Sequence, residues 1–233
     1  MRLLRKPAYL GLAWLALVCA TPGRSSEMRF STTPYGKGCE PDCPRLIQAV
    51  GPITPNTPQA FLDFARDQTR RPGLMNVVLI HSPGGSVNAS IRLGRILRQL
   101  GAVVIVARAM ENEGAPSRRG GARQATARFV SASCTSACVY TLAGGSRRIV
   151  PPESRVAVHR MAGNISSFDV LTRDATQQRV YAGPRELATL TAYIQEMGVS
   201  ADLVSIAEDV PHESARVLTT REMAKLNLAS PRL

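Results

Sequence analysis

Three short segments carry the residue types that acyl transfer needs. Ser136 sits in Cys134-Thr135-Ser136-Ala137-Cys138, His159 closes Arg155-Val156-Ala157-Val158-His159, and paired glycines occur in Ser82-Pro83-Gly84-Gly85-Ser86-Val87. A serine hydroxyl is a poor nucleophile until a base accepts its proton, and the oxyanion it creates needs fixed N–H donors. Ser136 follows a strand pattern and opens a small-residue helix. With Ala137 beside it, its hydroxyl can protrude while the helix N-terminus favours developing negative charge. Glycine lets a backbone N–H approach a ligand closely, which suits Gly84-Gly85 to an oxyanion hole. Histidine is the side chain whose ordinary pKa lies nearest neutrality, and His159 is one of three in the chain. Each segment also has an ordinary structural reading: Ser136 as a helix N-cap, Pro83-Gly84-Gly85 as a turn, His159 as a strand end. Their order and local settings favour a serine hydrolase. His81 abuts the glycine turn and reads either as a substrate-orienting group or as a strand-end residue. His212, in a polar loop, reads as solvated.

The elements that must position these residues follow from apolar periodicity. Leu46 to Ile53 reads as a first strand after a Gly/Pro/Ser-rich lead-in. Thr57-Pro58 reads as an N-cap with proline at the first helical position, and Ala60, Phe61, Phe64 and Ala65 form the stripe of a helix ending near Arg71-Pro72-Gly73. Leu74 to His81 has the nearly continuous apolar run of a buried strand. A helix from Ser86 to Leu100 turns Ile91, Leu93, Ile96, Leu97 and Leu100 inward and stops at Gly101, before another buried strand over Ala102 to Ala107. This alternation predicts a mostly parallel sheet with right-handed crossovers. Met110 to Arg123 breaks the rhythm as an exposed loop, Phe129-Val130 resumes a strand, Ser136 to Ala143 is a short helix, and Arg155 to His159 is a strand. The remainder reads as helical: Asp169 to Tyr181, Arg185 to Met197, Ser200 to Val210, and a last helix to Leu226 opened by the capping box Thr219-Thr220-Arg221-Glu222.

Arg2, Arg5 and Lys6 precede an apolar run from Ala8 to Ala20, with small residues for cleavage before Thr21. The run is shorter than the roughly 18 residues of a membrane span, so a cleaved signal is expected over 1–20 and a retained anchor is the alternative. The expected localisation is periplasmic or secreted. Cys39, Cys43, Cys134 and Cys138 remain, an even number in an oxidising compartment, so two disulfides are expected. Three pairings are open, and the C-x-x-x-C spacing also fits a four-thiolate zinc site. The formal charge is +12, of which the first six residues carry three, leaving +9. Such a surplus suits polyanionic partners, yet the arginines are scattered and only Arg118-Arg119-Gly120-Gly121-Ala122-Arg123 is compact, so nucleic acid is not the expected partner.

The segment Ser82 to Val87 resembles the S-P-G-G segment of the Clp protease proteolytic subunit. Ser136 through His159, including Ala143-Gly144-Gly145 and Pro152 to His159, is similar to that family's nucleophile-to-histidine stretch. The nearest likeness is to periplasmic Clp-like proteins with a C-x-S-A-C motif. The resemblance implies an α/β fold, a ββα spiral of the Clp-protease/crotonase type with a mostly parallel sheet and C-terminal helices. The resemblance covers 46–228 (Clp-protease-like domain), after the signal at 1–20 and the lead-in with a cysteine pair at 21–45 read from the residues themselves. It further implies Ser136 as nucleophile, His159 as general base, and the N–H groups of Gly85 and Ala137 as the oxyanion hole.

One part of the family pattern is missing. Val217-Leu218-Thr219 matches the context of the family's aspartate, but the expected acid falls at Ala215; Glu213 and Asp209 lie close by as substitutes through a loop shift. Lys225 stands inside a capped helix, which argues against a Ser-Lys dyad. The resulting expectation is an exported, peptidase-like serine hydrolase acting on a peptide or acyl substrate, with a catalytically inactive Clp-like binding or assembly protein of the envelope as the alternative. No cofactor is expected, because export separates the chain from acyl-CoA chemistry, and no metal is expected, because two disulfides are the expected use of the four cysteines. No segment matches the axial loops that dock an ATP-driven unfoldase. Family members commonly form rings or trimers, so a homo-oligomer of unspecified size is expected.

Overall fold

A computed structural model describes residues 27–36, 39, 42–111, 127–168, 173 and 175–231. The expected signal at 1–20, residues 21–26, 37–38 and 40–41 of the lead-in, and the basic stretch at 118–123 lie outside the described residues.

Strand β1 (Arg29–Pro34) pairs antiparallel with β2 (Arg45–Val50). It falls where the sequence reads as an irregular lead-in, because Phe30 is its single large apolar residue. Phe30 reaches Phe61 and Phe64 of helix α1 (Thr57–Thr69), with ring centroids 5.4 and 5.8 Å apart. The α1 N-cap is Asn56 rather than Thr57, whose Oγ1 instead accepts the Thr54 N–H at 2.8 Å. Strand β3 (Leu74–His81) leads through the glycine turn into α2 (Val87–Gln99), where the Ser86 hydroxyl caps the helix by accepting the Ala89 N–H. Leu100, expected inward, is exposed because it is the C-cap and lies beyond the last packed turn.

After β4 (Val103–Ile105) the chain leaves the main sheet. The expected strand over 102–107 therefore splits, and β5 (Ala107–Glu111) pairs antiparallel with β6 (Ala127–Ser131). Strand β7 (Ser133–Thr135) precedes α3 (Cys138–Ala143), which is buried on every side. Strands β8 (Arg147–Ile149) and β9 (Arg155–Val158) follow. The helix expected over 169–181 is absent from its described part. That part joins a hairpin, β10 (Ala162–Phe168) with β11 (Ala175–Tyr181). Cross-strand pairing overrides the helical reading of a segment that ends in Val180-Tyr181, residue types that favour strands. Helices α4 (Pro184–Glu196) and α5 (Asp202–Glu208), strand β12 (Arg216–Val217) and helix α6 (Thr220–Lys225) complete the chain. The capping box at Thr219 forms as expected, its hydroxyl and the Glu222 carboxylate each taking the other's N–H.

The main sheet runs β1-β2-β3-β4-β8, parallel except for β1. A second sheet runs β12-β9-β7, with β7 and β9 parallel. A bridge from Ser82 to Cys134 stitches the end of β3 to β7. The fold is thus α/β with mostly parallel sheets and helices toward the C-terminus, as expected. Helices α2 and α3 meet backbone to backbone, since a Cβ on Gly144 would lie 2.2 Å from the Gly94 carbonyl oxygen. Among the described residues no helix is long and apolar enough to cross a membrane.

Candidate active site

The serine turn is bounded by a disulfide. Cys134 on β7 and Cys138 at the start of α3 are joined, with Cα atoms 5.2 Å apart, and both are fully buried. Cys39 and Cys43 form the second pair, which settles the pairing as local and leaves no four-thiolate zinc site. Between Cys134 and Cys138, Ser136 adopts φ +57°, the left-handed region that costs a non-glycine residue roughly 1–2 kcal/mol. It is therefore not an N-cap; Ala137 holds that position. Ser136 N–H donates to the Ala157 carbonyl at 2.8 Å, which anchors the turn on β9. A serine in left-handed geometry between a strand and a helix is the backbone arrangement that a nucleophile elbow uses.

The glycine turn covers this serine. Gly84 has φ +101°, and a Cβ there would lie 2.6 Å from the Thr135 carbonyl oxygen, 2.8 Å from Ser136 Cβ and 3.0 Å from Ala137 N. Only glycine fits that contact. Gly85, at φ +135°, is pinned from the other side, because Ile53 N–H donates to the Gly84 carbonyl and Ser86 N–H to the Ile53 carbonyl. The N–H groups of Gly85 and Ala137 donate to no acceptor among the described residues. Two unspent donors flanking a left-handed serine are what a developing oxyanion needs.

His159 follows the last residue of β9. Thr135 pairs with Ala157, so Ser136 and His159 leave neighbouring parallel strands at the same end. No hydrogen bond joins the two side chains. His159 Nδ1 instead lies 3.0 Å from the Arg160 carbonyl oxygen. A carbonyl only accepts, so Nδ1 is the donor in this contact; in the neutral ring that leaves Nε2 as the acceptor, the tautomer a general base requires.

Alanine occupies position 215, where the sequence resemblance would set an acid. Antiparallel pairing of Arg216 with Val158 and of Val217 with Ala157 puts Ala215 across from His159. No hydrogen bond or ion pair joins either proposed substitute to His159 among the described residues. Glu213 is ion-paired with Arg179 on β11, and Asp209 is exposed at the C-cap of α5. His212, read as solvated, instead meets His159 edge to face at 4.6 Å, with its Nδ1 3.3 Å from the same Arg160 carbonyl. His81 is a strand-end residue: its Nδ1 accepts the Ser133 N–H at 3.1 Å, and burial followed by the Arg108 charge lowers its pKa. Lys225 is exposed in the last turn of α6.

A cleft of roughly 740 Å³ opens beside Gly85, lined by Val87, Ile91, Met161, Val180 and Tyr181 among others. It runs from Gly85 to the base of the β10–β11 hairpin.

Solved structures share this architecture. An alanine variant of the 1510-N membrane-bound stomatin-specific protease superposes with a TM-score of 0.50 at 16% identity, over 80% of this chain and 78% of that one. The chain has a Clp-protease-like fold. A second variant of the same protease, in complex with a substrate peptide, gives 0.48 at 17% identity over 80% of this chain and 74% of that one. ClpP1 from Listeria monocytogenes gives 0.45 at 14% identity over 79% and 88%. The sequence matches no family model and no curated protein. Within the Clp-like fold, sequence reasoning finds the serine and glycine turns because each is a local motif. It misses His212 and the Arg160 carbonyl, for which the sequence holds no signal: a backbone acceptor has no residue type.

Proposed function

We propose that this chain is an exported, peptidase-like serine hydrolase in which Ser136 attacks an acyl carbon, His159 takes its proton, and the N–H groups of Gly85 and Ala137 hold the oxyanion. The observation that carries this reading is the left-handed Ser136 lying under Gly84, with two unspent N–H donors beside it. The apolar-lined cleft starting at Gly85 supports an extended peptide or acyl chain as substrate. A fluorophosphonate probe tests the site on the oxidised chain: covalent labelling is expected in the wild type and lost in Ser136→Ala and His159→Ala. Labelling that survives Ser136→Ala removes the proposal. The apolar run at 8–20 and the two disulfides support export, and the exported protein should begin at Thr21 on N-terminal sequencing. A homo-oligomer acting without an ATP-driven unfoldase belongs to the same reading.

Ala215 opposite His159 favours a second reading, a catalytically inactive Clp-like protein that binds or assembles at the envelope. Peptide or ester turnover that disappears in His159→Ala eliminates it.

A further inference from the structure

We propose that Glu208 is the acid that positions His159, acting through the Arg160–Met161 peptide group instead of touching the imidazole. The inference rests on the hydrolase reading and assigns the part that reading lacks. The Met161 N–H donates to Glu208 Oε1 at 2.9 Å, while the carbonyl of the same peptide group accepts from His159 Nδ1 at 3.0 Å. A carboxylate on the N–H of an amide shifts electron density toward its carbonyl oxygen, so the two hydrogen bonds strengthen each other. The negative charge thus reaches the imidazole at one remove and stabilises its Nδ1–H form.

The surrounding contacts hold this peptide group in one orientation. Arg160 N–H donates to the Val210 carbonyl at 2.9 Å, just past the end of α5 that carries Glu208. The Arg160 guanidinium lies over the Tyr181 ring at 4.3 Å, and its Nε is 3.8 Å from Glu208 Oε2, so the carboxylate is flanked by a fixed cation. The side chain of Glu208 is 17% exposed against 59% for Glu213, which makes it the better shielded of the two charges. His212 takes the second lone pair of the Arg160 carbonyl and packs its ring against His159. Glu208 is a positioning residue, since it touches neither substrate nor reacting atoms.

Two readouts test the assignment, and one of them needs no activity. Long-range proton–nitrogen correlation spectra of the 15N-labelled chain report the tautomer of each of its three histidines. His159 is expected as a single Nδ1–H tautomer in the wild type, in the unreactive Ser136→Ala chain, and in Glu208→Gln, whose amide oxygen still accepts the Met161 N–H. In Glu208→Ala the two tautomers are expected to mix. Fluorophosphonate inactivation should slow about tenfold in Glu208→Gln and about a hundredfold in Glu208→Ala, in the maximal rate and not in the probe's half-saturation. Wild-type inactivation rates in both variants, with the Nδ1–H tautomer kept in both, overturn the proposal. If Glu208→Ala does not fold, Glu208→Gln decides alone, and a wild-type rate there overturns it. A wild-type chain that never labels defeats the hydrolase reading, while tautomer mixing in Glu208→Ala would still establish the positioning contact.

Discussion

The serine turn and the histidine corner are built on opposite plans. Around Ser136 the restraints are mainly covalent and steric: a disulfide closes the turn, a left-handed residue shapes it, a glycine from the turn after β3 that tolerates no Cβ lies on top, and one backbone hydrogen bond ties it to β9. Around His159 the restraints are hydrogen bonds and ion pairs among partly exposed groups drawn from β9, β11, α5 and the 210–213 loop. The first region is fixed before any substrate arrives. The second is held by several weak contacts, each worth roughly 0.5–1.5 kcal/mol, that must all be present together. A nucleophile must sit within tenths of an ångström of its oxyanion donors, whereas a base needs mainly the right tautomer and reach, so the rigid half belongs on the serine side.

The largest break in this comparison should come from Gly84→Ala. Its Cβ would collide with the Thr135 carbonyl oxygen at 2.6 Å and with Ser136 Cβ at 2.8 Å, at a φ of +101°. A loss of about 3 kcal/mol or more is expected in urea unfolding, together with loss of probe labelling. Unchanged stability would show that the glycine turn does not press on the serine.

Next comes the paired variant Cys134→Ser with Cys138→Ser. For a loop this short the chain-entropy model gives about 2 kcal/mol of lost stability, and release of the turn should slow labelling about tenfold. Labelling at the wild-type rate would mean that Ser136 is held by packing alone and that the covalent half of the comparison is idle.

On the histidine side, Ala215→Asp places a carboxylate across from His159. Because the Arg160 carbonyl already fixes the tautomer, labelling should rise by no more than about tenfold, far short of the roughly 10⁴ that separates a triad with its acid from one without. A rise approaching that factor would reveal an unoriented imidazole in the wild type.

The smallest effect concerns His81 at the end of β3, whose ring meets Ser133 at the start of β7. Burial, and then Arg108, lower its pKa from 6.5, so the folded state prefers the neutral ring. Its contribution to stability is complete above the unfolded value and is lost as the pH falls below it, until the folded group also takes up a proton. His81→Gln, whose amide oxygen can keep the Ser133 N–H, should therefore flatten the decline in unfolding midpoint between about pH 8 and about pH 5. An identical slope in both proteins would show that His81 titrates as it does in the unfolded chain.

Residue order alone determined the α/β class, the glycine turn, the serine between two cysteines, the histidine at a strand end and the capping box at Thr219. The class lies in the alternation of apolar periods along the chain, and each of the other features is written within about six consecutive positions, where local sterics and hydrogen bonding choose the conformation. The β10–β11 hairpin, the edge strand β1 and the partner of His159 were decided only by tertiary structure. Polar residues of the hairpin satisfy helix or strand alike until a second strand pairs with them. The His159 contact runs through the backbone to a carboxylate 47 positions from Met161, and no residue pattern encodes a carbonyl. The same physical difference separates the disulfide-closed serine turn from the histidine corner. What closes over a few bonds can be read from neighbouring letters, and what closes across the fold waits for the chain to bring α5 against β9.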